Sequence, residues 1–333
     1  MSLETLKTLI EERKWYDFSH LVSKLSKESN DKQVLDSMLH LFVELLPRIH
    51  PLSIASTTVA LLSKLQTEEA LSLINYSISA IRERDENVYK EELCCLSMHK
   101  CMINVYAKRY ENIESQIISW MSQKLSDENY YFLLLLAGNF YESIGNVENA
   151  QEYFLKHAKA TNKVENIEKL VRLSILSRTF FDFSSVMAFN EYRILQNNDL
   201  KNIFDCFLEG DISKVNLQNI MHVLSINDAE FIKEKFFLIN IIVICFKSEH
   251  KYVGFDVFMS KLCVDEIMLL KLLLKALGTG VISGWIDSEK RTLFFSRVIP
   301  RALNAEEIEK MKGKFVEWKR RVDEAIVTIK TEF

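Results

Sequence analysis

The chain has 333 residues, 48% of them hydrophobic and 26% charged, which excludes a disordered or fibrous protein and leaves room for two or three domains. A formal charge of −4 gives no whole-chain attraction to nucleic acid or anionic lipid, so any polyanion contact would have to be local. Three prolines and eight glycines are few for this length, and long helices joined by short turns are expected.

The first residues, MSLETLKTLIEERKW, put acids in early helical turns and lack the apolar core of a secretory signal. The longest apolar run, Phe236 to Phe246, is about half the ~20 residues of a membrane-spanning helix. A soluble intracellular chain is the expectation.

Apolar residues recur at helical spacing from the start: Leu3, Leu6, Ile10; then Phe18, Leu21, Val22, Leu25; then Val34, Leu35, Met38, Leu41, Phe42, Leu45. Pro51 follows with a helix opening at it, because a missing N–H and a fixed φ suit the first turn. The cluster Cys94, Cys95, His99 and Cys101 does not converge on a metal: on a helix Cys95 and His99 share one face, and Cys94 and Cys101 another about 100° away. Scattered cysteines in a chain this large read as buried thiols rather than a disulfide frame.

Gly138, Tyr141, Gly145, Ala150 and Phe154 have the order and spacing of a tetratricopeptide-type helix pair, with small residues for close approach and aromatics filling the gap. Only one unit matches, so residues 1–168 read as an irregular, right-handed helical-repeat solenoid. From Lys169 the pattern stays helical with closer turns. Glu234 to Phe246 is apolar nearly all round and hence buried; Val253 to Leu262 is a short amphipathic helix; Cys263 to Gly280 holds a longer one with Asp265 near its N-cap. Two strand-like runs, VISGWI and RTLFFSRV, then bracket the turn DSEK. Three helices and a hairpin outline a winged helix at about 231–299, within a module spanning 169–300. The hairpin would cover Leu269, Leu272, Leu273 and Leu277.

DNA binding is the familiar use of that shape. A groove-reading helix needs Arg, Lys, Asn or Gln on its outer face, whereas Val264 to Leu277 offers Asp265 and Glu266 at the end where base contacts lie. Lys290, Arg291 and Arg297 on the hairpin are ordinary for a solvated wing.

The last segment, 301–333, reads as a single helix. Asn304 is its expected N-cap, with Glu307 completing a capping box, and Pro300 turns the chain into it. Its apolar positions Ile308, Met311, Phe315, Trp318, Val322, Ala325 and Ile329 alternate three and four apart, a heptad seam over three heptads. Two readings stay open: a core helix folded back on its own chain, or a docking helix for a bundle with other chains. Lys319, Arg320 and Arg321 mix with Glu317, Asp323 and Glu324 as a charged face away from the seam.

No phosphate loop, nucleophile elbow or paired histidines with a carboxylate occurs, and the seven histidines are dispersed. No catalytic residue, cofactor, metal or small-molecule substrate is expected. Surfaces must carry the function: the seam, and on the wing Trp285, Ile286, Leu293, Phe294, Phe295 and Arg297, beside a free strand edge able to add hydrogen bonds.

A helical solenoid, a winged helix and a terminal heptad helix, with RIHPLSIA (Arg48 to Ala55), the stretch Leu274 to Leu303 and EIEKMKGKFVEW (Glu307 to Trp318), resemble the PCI proteins. These are scaffold subunits of the proteasome lid, the signalosome and the translation initiation factor three complex. The resemblance implies a mostly α PCI fold and a non-catalytic subunit, cytoplasmic and nuclear. It also implies other PCI and lid subunits as partners through wing edges and a C-terminal helix bundle, with no nucleic acid and no membrane. A nucleic-acid-binding winged helix is the reading from another class.

Overall fold

The computed structural model describes residues 3–28, 31–85, 88–164, 166–196, 198–210, 217–224, 228–248, 250–299 and 305–332. They fall into two compact units, Met1–Thr161 and Asn162–Phe333. The expected turn at Pro300 and cap at Asn304 lie outside the described residues, as does the side chain of Glu307.

The first unit is helical among its described residues: α1 (Leu3–Glu11), α2 (Trp15–Glu28), α3 (Lys32–Leu45), a 3-10 turn at Leu46–Arg48, α4 (Pro51–Leu62), α5 (Thr67–Asp85), α6 (Lys90–Tyr106), α7 (Ile113–Met121), α8 (Asp127–Ser143) and α9 (Val147–Thr161). Helices pack mainly on near neighbours in sequence: α2 on α4, α4 on α5 and α6, α6 on α8, and α8 on α9. That is how a helical repeat buries faces no single helix can bury. Pro51 does open α4, and the preceding His50 caps it, its Nδ1 accepting from the Leu52 N–H at 3.3 Å. Buried hydroxyls tie α4 to its neighbours, Thr58 to Ser77 at 2.9 Å and Thr57 to the Ser19 carbonyl at 3.3 Å.

In the α8–α9 pair the spacing argument finds its physical cause. A Cβ on Gly138 would sit 2.9 Å from the Phe154 ring, so only glycine allows this approach. Gly145, at φ +80, makes the turn between the helices. Ala150 is wholly buried, and Tyr141 stacks on Tyr153 with planes 4° apart. Tyr141 also donates to Glu114 at 3.2 Å; burial and that carboxylate push its hydroxyl up to about 12.

The second unit contains α10 (Ile167–Leu176), the single turns α11 (Ser184–Met187) and α12 (Asn190–Arg193), α13 (Asn198–Glu209), α14 (Leu217–Leu224), α15 (Ala229–Lys247), β1 (Tyr252–Gly254), α16 (Phe255–Leu262), α17 (Glu266–Gly278), β2 (Ile282–Asp287), β3 (Thr292–Val298) and α18 (Ala305–Glu332). From α15 to β3 the order is helix, strand, two helices, two strands, consistent with the expected winged helix.

Two expectations need correction here. The wing is not a two-stranded hairpin but a three-stranded antiparallel sheet in the order β1-β3-β2. Val253 and Gly254, expected in a helix, form β1, and α16 begins only at Phe255. Three residues are too few to show strand alternation, and Val253 is apolar in either setting. It is consequently β3, the central strand, that has no free edge; the outer strands are β1 and β2.

α15 is buried nearly all round, as its composition requires, and it carries the least expected residue of the unit. Lys235 is 2% exposed. Its ammonium donates to the carbonyls of Ser174 at 2.8 Å, Ile175 at 2.9 Å and Ser177, and lies 5.6 and 5.3 Å from the Phe181 and Phe183 rings. The last carbonyls of α10 have no intrahelical donors and carry the negative end of its dipole, so a buried cation satisfies them. Two aromatic faces add attraction.

Candidate protein–protein interface

The wing sheet has an inner and an outer face. Along the inner face Val253, Leu293 and Ile286 are cross-strand neighbours, and Leu293 is fully buried. β2 packs on α17 and β3 on α15, while Leu269, Leu272 and Leu273 lie buried and Leu277 half-buried. Phe295 is also buried. Of the six wing residues expected at an interface, Leu293 and Phe295 therefore belong to the module's own core, and Ile286 and Phe294 are half-buried. Trp285 and Arg297 are exposed.

On the outer face Tyr252, Phe294 and Trp285 stand directly opposite one another across β1, β3 and β2. Trp285, 60% exposed, stacks on Phe294 at 5.3 Å with planes 8° apart; Tyr252 meets the same ring at 5.7 Å, and His250 stacks on Tyr252 at 5.3 Å. Aromatic cross-strand pairs of this kind stabilise a sheet and still leave an apolar band facing water. Sequence reading picked out Trp285 and Phe294 but missed Tyr252 and His250, because β1 itself went unread. Strand register rests on a bulge at Ser283/Gly284, where a Cβ on Gly284 would lie 2.0 Å from the Phe294 carbonyl oxygen.

The basic residues of the hairpin turn are met by acids of the same module. Arg291, at φ +52, reaches Glu266 at 3.0 Å and Asp256 at 3.5 Å, and Lys290 lies 3.7 Å from Asp287. Asp265 caps α17, accepting from the Met268 N–H at 2.9 Å. Ile267 and Leu274, a helical two turns apart, are exposed on α17. With Lys290 and Arg291 paired to acids and acids leading α17, these surfaces suit a protein better than a phosphate backbone.

α18 runs for 28 residues, and every side chain described from Ile308 to Ile329 is exposed. All seven expected seam residues lie on it; Phe315 and Trp318 are each 60% exposed. The alternative of a core helix folded back on its own chain is not what the structure shows. Val316, Ile326 and Val327 are exposed too, widening the apolar surface beyond the seam.

The chain is similar to a proteasome subunit. It is 24% identical over 162 residues to the 26S proteasome regulatory subunit RPN9 of Saccharomyces cerevisiae, a stretch that covers 49% of this chain and 39% of that protein. The chain thus matches about two-fifths of that relative's length. No family model matches. The relative comes from one of the three assemblies to which the PCI resemblance pointed.

The cysteine cluster behaves as packing. Cys94 and Cys101 are buried and Cys95 half-buried, and burial pushes each of the three thiols up to about 11. Cys101 donates to Gln116 at 3.1 Å. His99 stacks on Phe132 at 4.0 Å, and burial lowers it to about 4, so it is neutral at pH 7. Among the described residues no group of three or more His, Cys, Asp or Glu could hold a metal ion, and no helix is long and apolar enough to cross a membrane.

Proposed function

We propose that this chain is a non-catalytic scaffold subunit of the 26S proteasome regulatory-particle lid, acting in ubiquitin-dependent protein degradation in cytoplasm and nucleus. The observation that carries a scaffold role is the long, wholly exposed apolar seam of α18, because such a seam is stable in water only when other helices cover it. The likeness to a 26S proteasome regulatory subunit supplies the assembly. Within the lid we assign the chain to the place of non-ATPase regulatory subunit 13, which its wing resembles in Gly-x-Ile-Asp (Gly284 to Asp287), Lys290-Arg291 and Pro300-Arg301 followed by Leu303.

On this reading residues 1–168 form a right-handed solenoid that reaches neighbouring subunits. Residues 169–300 are a PCI module that joins other PCI subunits through the exposed strand edges of its wing, and 301–333 enter a shared helix bundle. Mass spectrometry of the native assembly purified through a tagged chain tests it. Proteasome lid subunits are expected; recovery of signalosome or initiation factor three subunits instead would replace the reading. Removal of Glu306 to Phe333 should leave a folded chain that is lost from the assembly.

A further inference from the structure

The heptad of α18 has Ile308, Phe315, Val322 and Ile329 at one seam position and Met311, Trp318 and Ala325 at the other. Counted this way, Lys312 and Lys319 flank the seam on one side, and Lys314 and Arg321 on the other, where Glu307 stands one heptad before Lys314. All four basic residues are exposed. Three acids stand farther round: Arg320 holds Glu317 at 2.7 Å and Glu324, and Asp323 lies on that outer side as well. Lys312 also meets Glu309 at 3.0 Å, an exposed pair one turn back that contributes little. Of the basic residues expected on a charged face away from the seam, Lys319 and Arg321 line its edges, with Lys312 and Lys314 one heptad earlier, and Arg320 alone stands on the outer side.

We propose that α18 selects partner helices whose own seams are edged by Glu and Asp, and that its flanks give a second copy of itself no comparable attraction. This rests on the reading of α18 as an assembly helix and adds the chemistry of its partner. In a parallel pair of copies Lys314 would face Lys319 while Glu307 would face Lys312; in an antiparallel pair each flank would meet the same flank, lysine on lysine and lysine on arginine. The antiparallel arrangement sets like charges along both edges, which is how helices reject a wrong partner, and the parallel one gains no net attraction from its flanks. An acidic edge converts each repulsion into an ion pair. An anionic lipid surface fits less well: it wants a broad apolar face and a basic polar face, whereas Glu317, Asp323 and Glu324 occupy the polar side here. The seam runs for about 32 Å, room for three heptads of a partner.

The full chain is titrated into two labelled synthetic three-heptad peptides with the same apolar seam, one carrying Glu and the other Lys at the flanking positions, and fluorescence anisotropy is read. The Glu peptide should bind at least about tenfold tighter at about 0.15 M salt, and the gap should close near about 1 M. The Lys312→Glu, Lys314→Glu, Lys319→Glu, Arg321→Glu variant should keep its helical circular dichroism and prefer the Lys peptide. Equal affinities, binding of neither peptide, or tighter retention on phosphatidylserine vesicles than on the Glu peptide would each overturn the proposal. If the Glu peptide is preferred while the chain joins no proteasome assembly, the functional reading fails and this inference stands. If the chain joins and its charge-reversed variant joins equally well, the inference fails and the functional reading stands.

Discussion

α15 and α18 are both long helices of the second unit and both rich in large apolar residues, yet one is buried nearly all round and the other is exposed along its whole described length. α15 has apolar residues on every side and so finds its solvent inside its own module. α18 confines most of its apolar residues to one seam and sets charges on both edges, a pattern that leaves the module without a use for it. Equal apolar content therefore has two meanings: in α15 it is folding energy, and in α18, on the proposed reading, it is affinity held for another chain.

The largest expected effect breaks that comparison most directly. Phe236 is buried and stacks on Phe207 at 4.0 Å, so Phe236→Ala should cost about 3–5 kcal/mol of stability in urea denaturation. Phe315→Ala, on exposed α18, should change stability by no more than about 0.5 kcal/mol. Similar losses for both would mean that α18 packs on its own chain after all.

A polar pair sharpens the same contrast. Lys235→Met strips the donor from the Ser174, Ile175 and Ser177 carbonyls and should cost about 1–3 kcal/mol. Lys319→Met on α18 should leave the melting temperature of the isolated chain nearly unmoved.

Glycine gives the smallest and most informative pair. Gly284→Ala drives a Cβ into the Phe294 carbonyl at the bulge and should cost about 1–3 kcal/mol. At Gly313 an added Cβ meets nothing within 4 Å, so Gly313→Ala should stabilise α18 by about 0.5–1 kcal/mol, read as increased helical circular dichroism. Opposite signs are expected from one substitution type in a packed sheet and a bare helix.

Much of this was legible in the residues. Pro51, the Gly138–Phe154 approach, the Asp265 cap and the α18 seam are local: each is written within one helix or two consecutive ones, where spacing alone carries the physics. What went unread is non-local. β1 is three residues long and exists because β3 pairs with it, so nothing near Tyr252 announces a strand. The outer aromatic row needs three strands in register, and Tyr252 and His250 join it only through β1. Lys235 sits in an apolar run where a lysine reads as a lapse; its reason lies at the C-terminus of α10, far back in the chain. The flanking charges of α18 were visible all along, but their side of the helix matters only once the seam is known to be exposed.

The most direct test of the scaffold account is the stoichiometry of the chain in purified 26S proteasome when Phe315→Asp and Trp318→Asp are introduced together. Both side chains are exposed, so the isolated variant should melt as the parent does. The account predicts its loss from the assembly, because two charges in the seam remove the anchor residues of the helix. A variant recovered at full stoichiometry would contradict it.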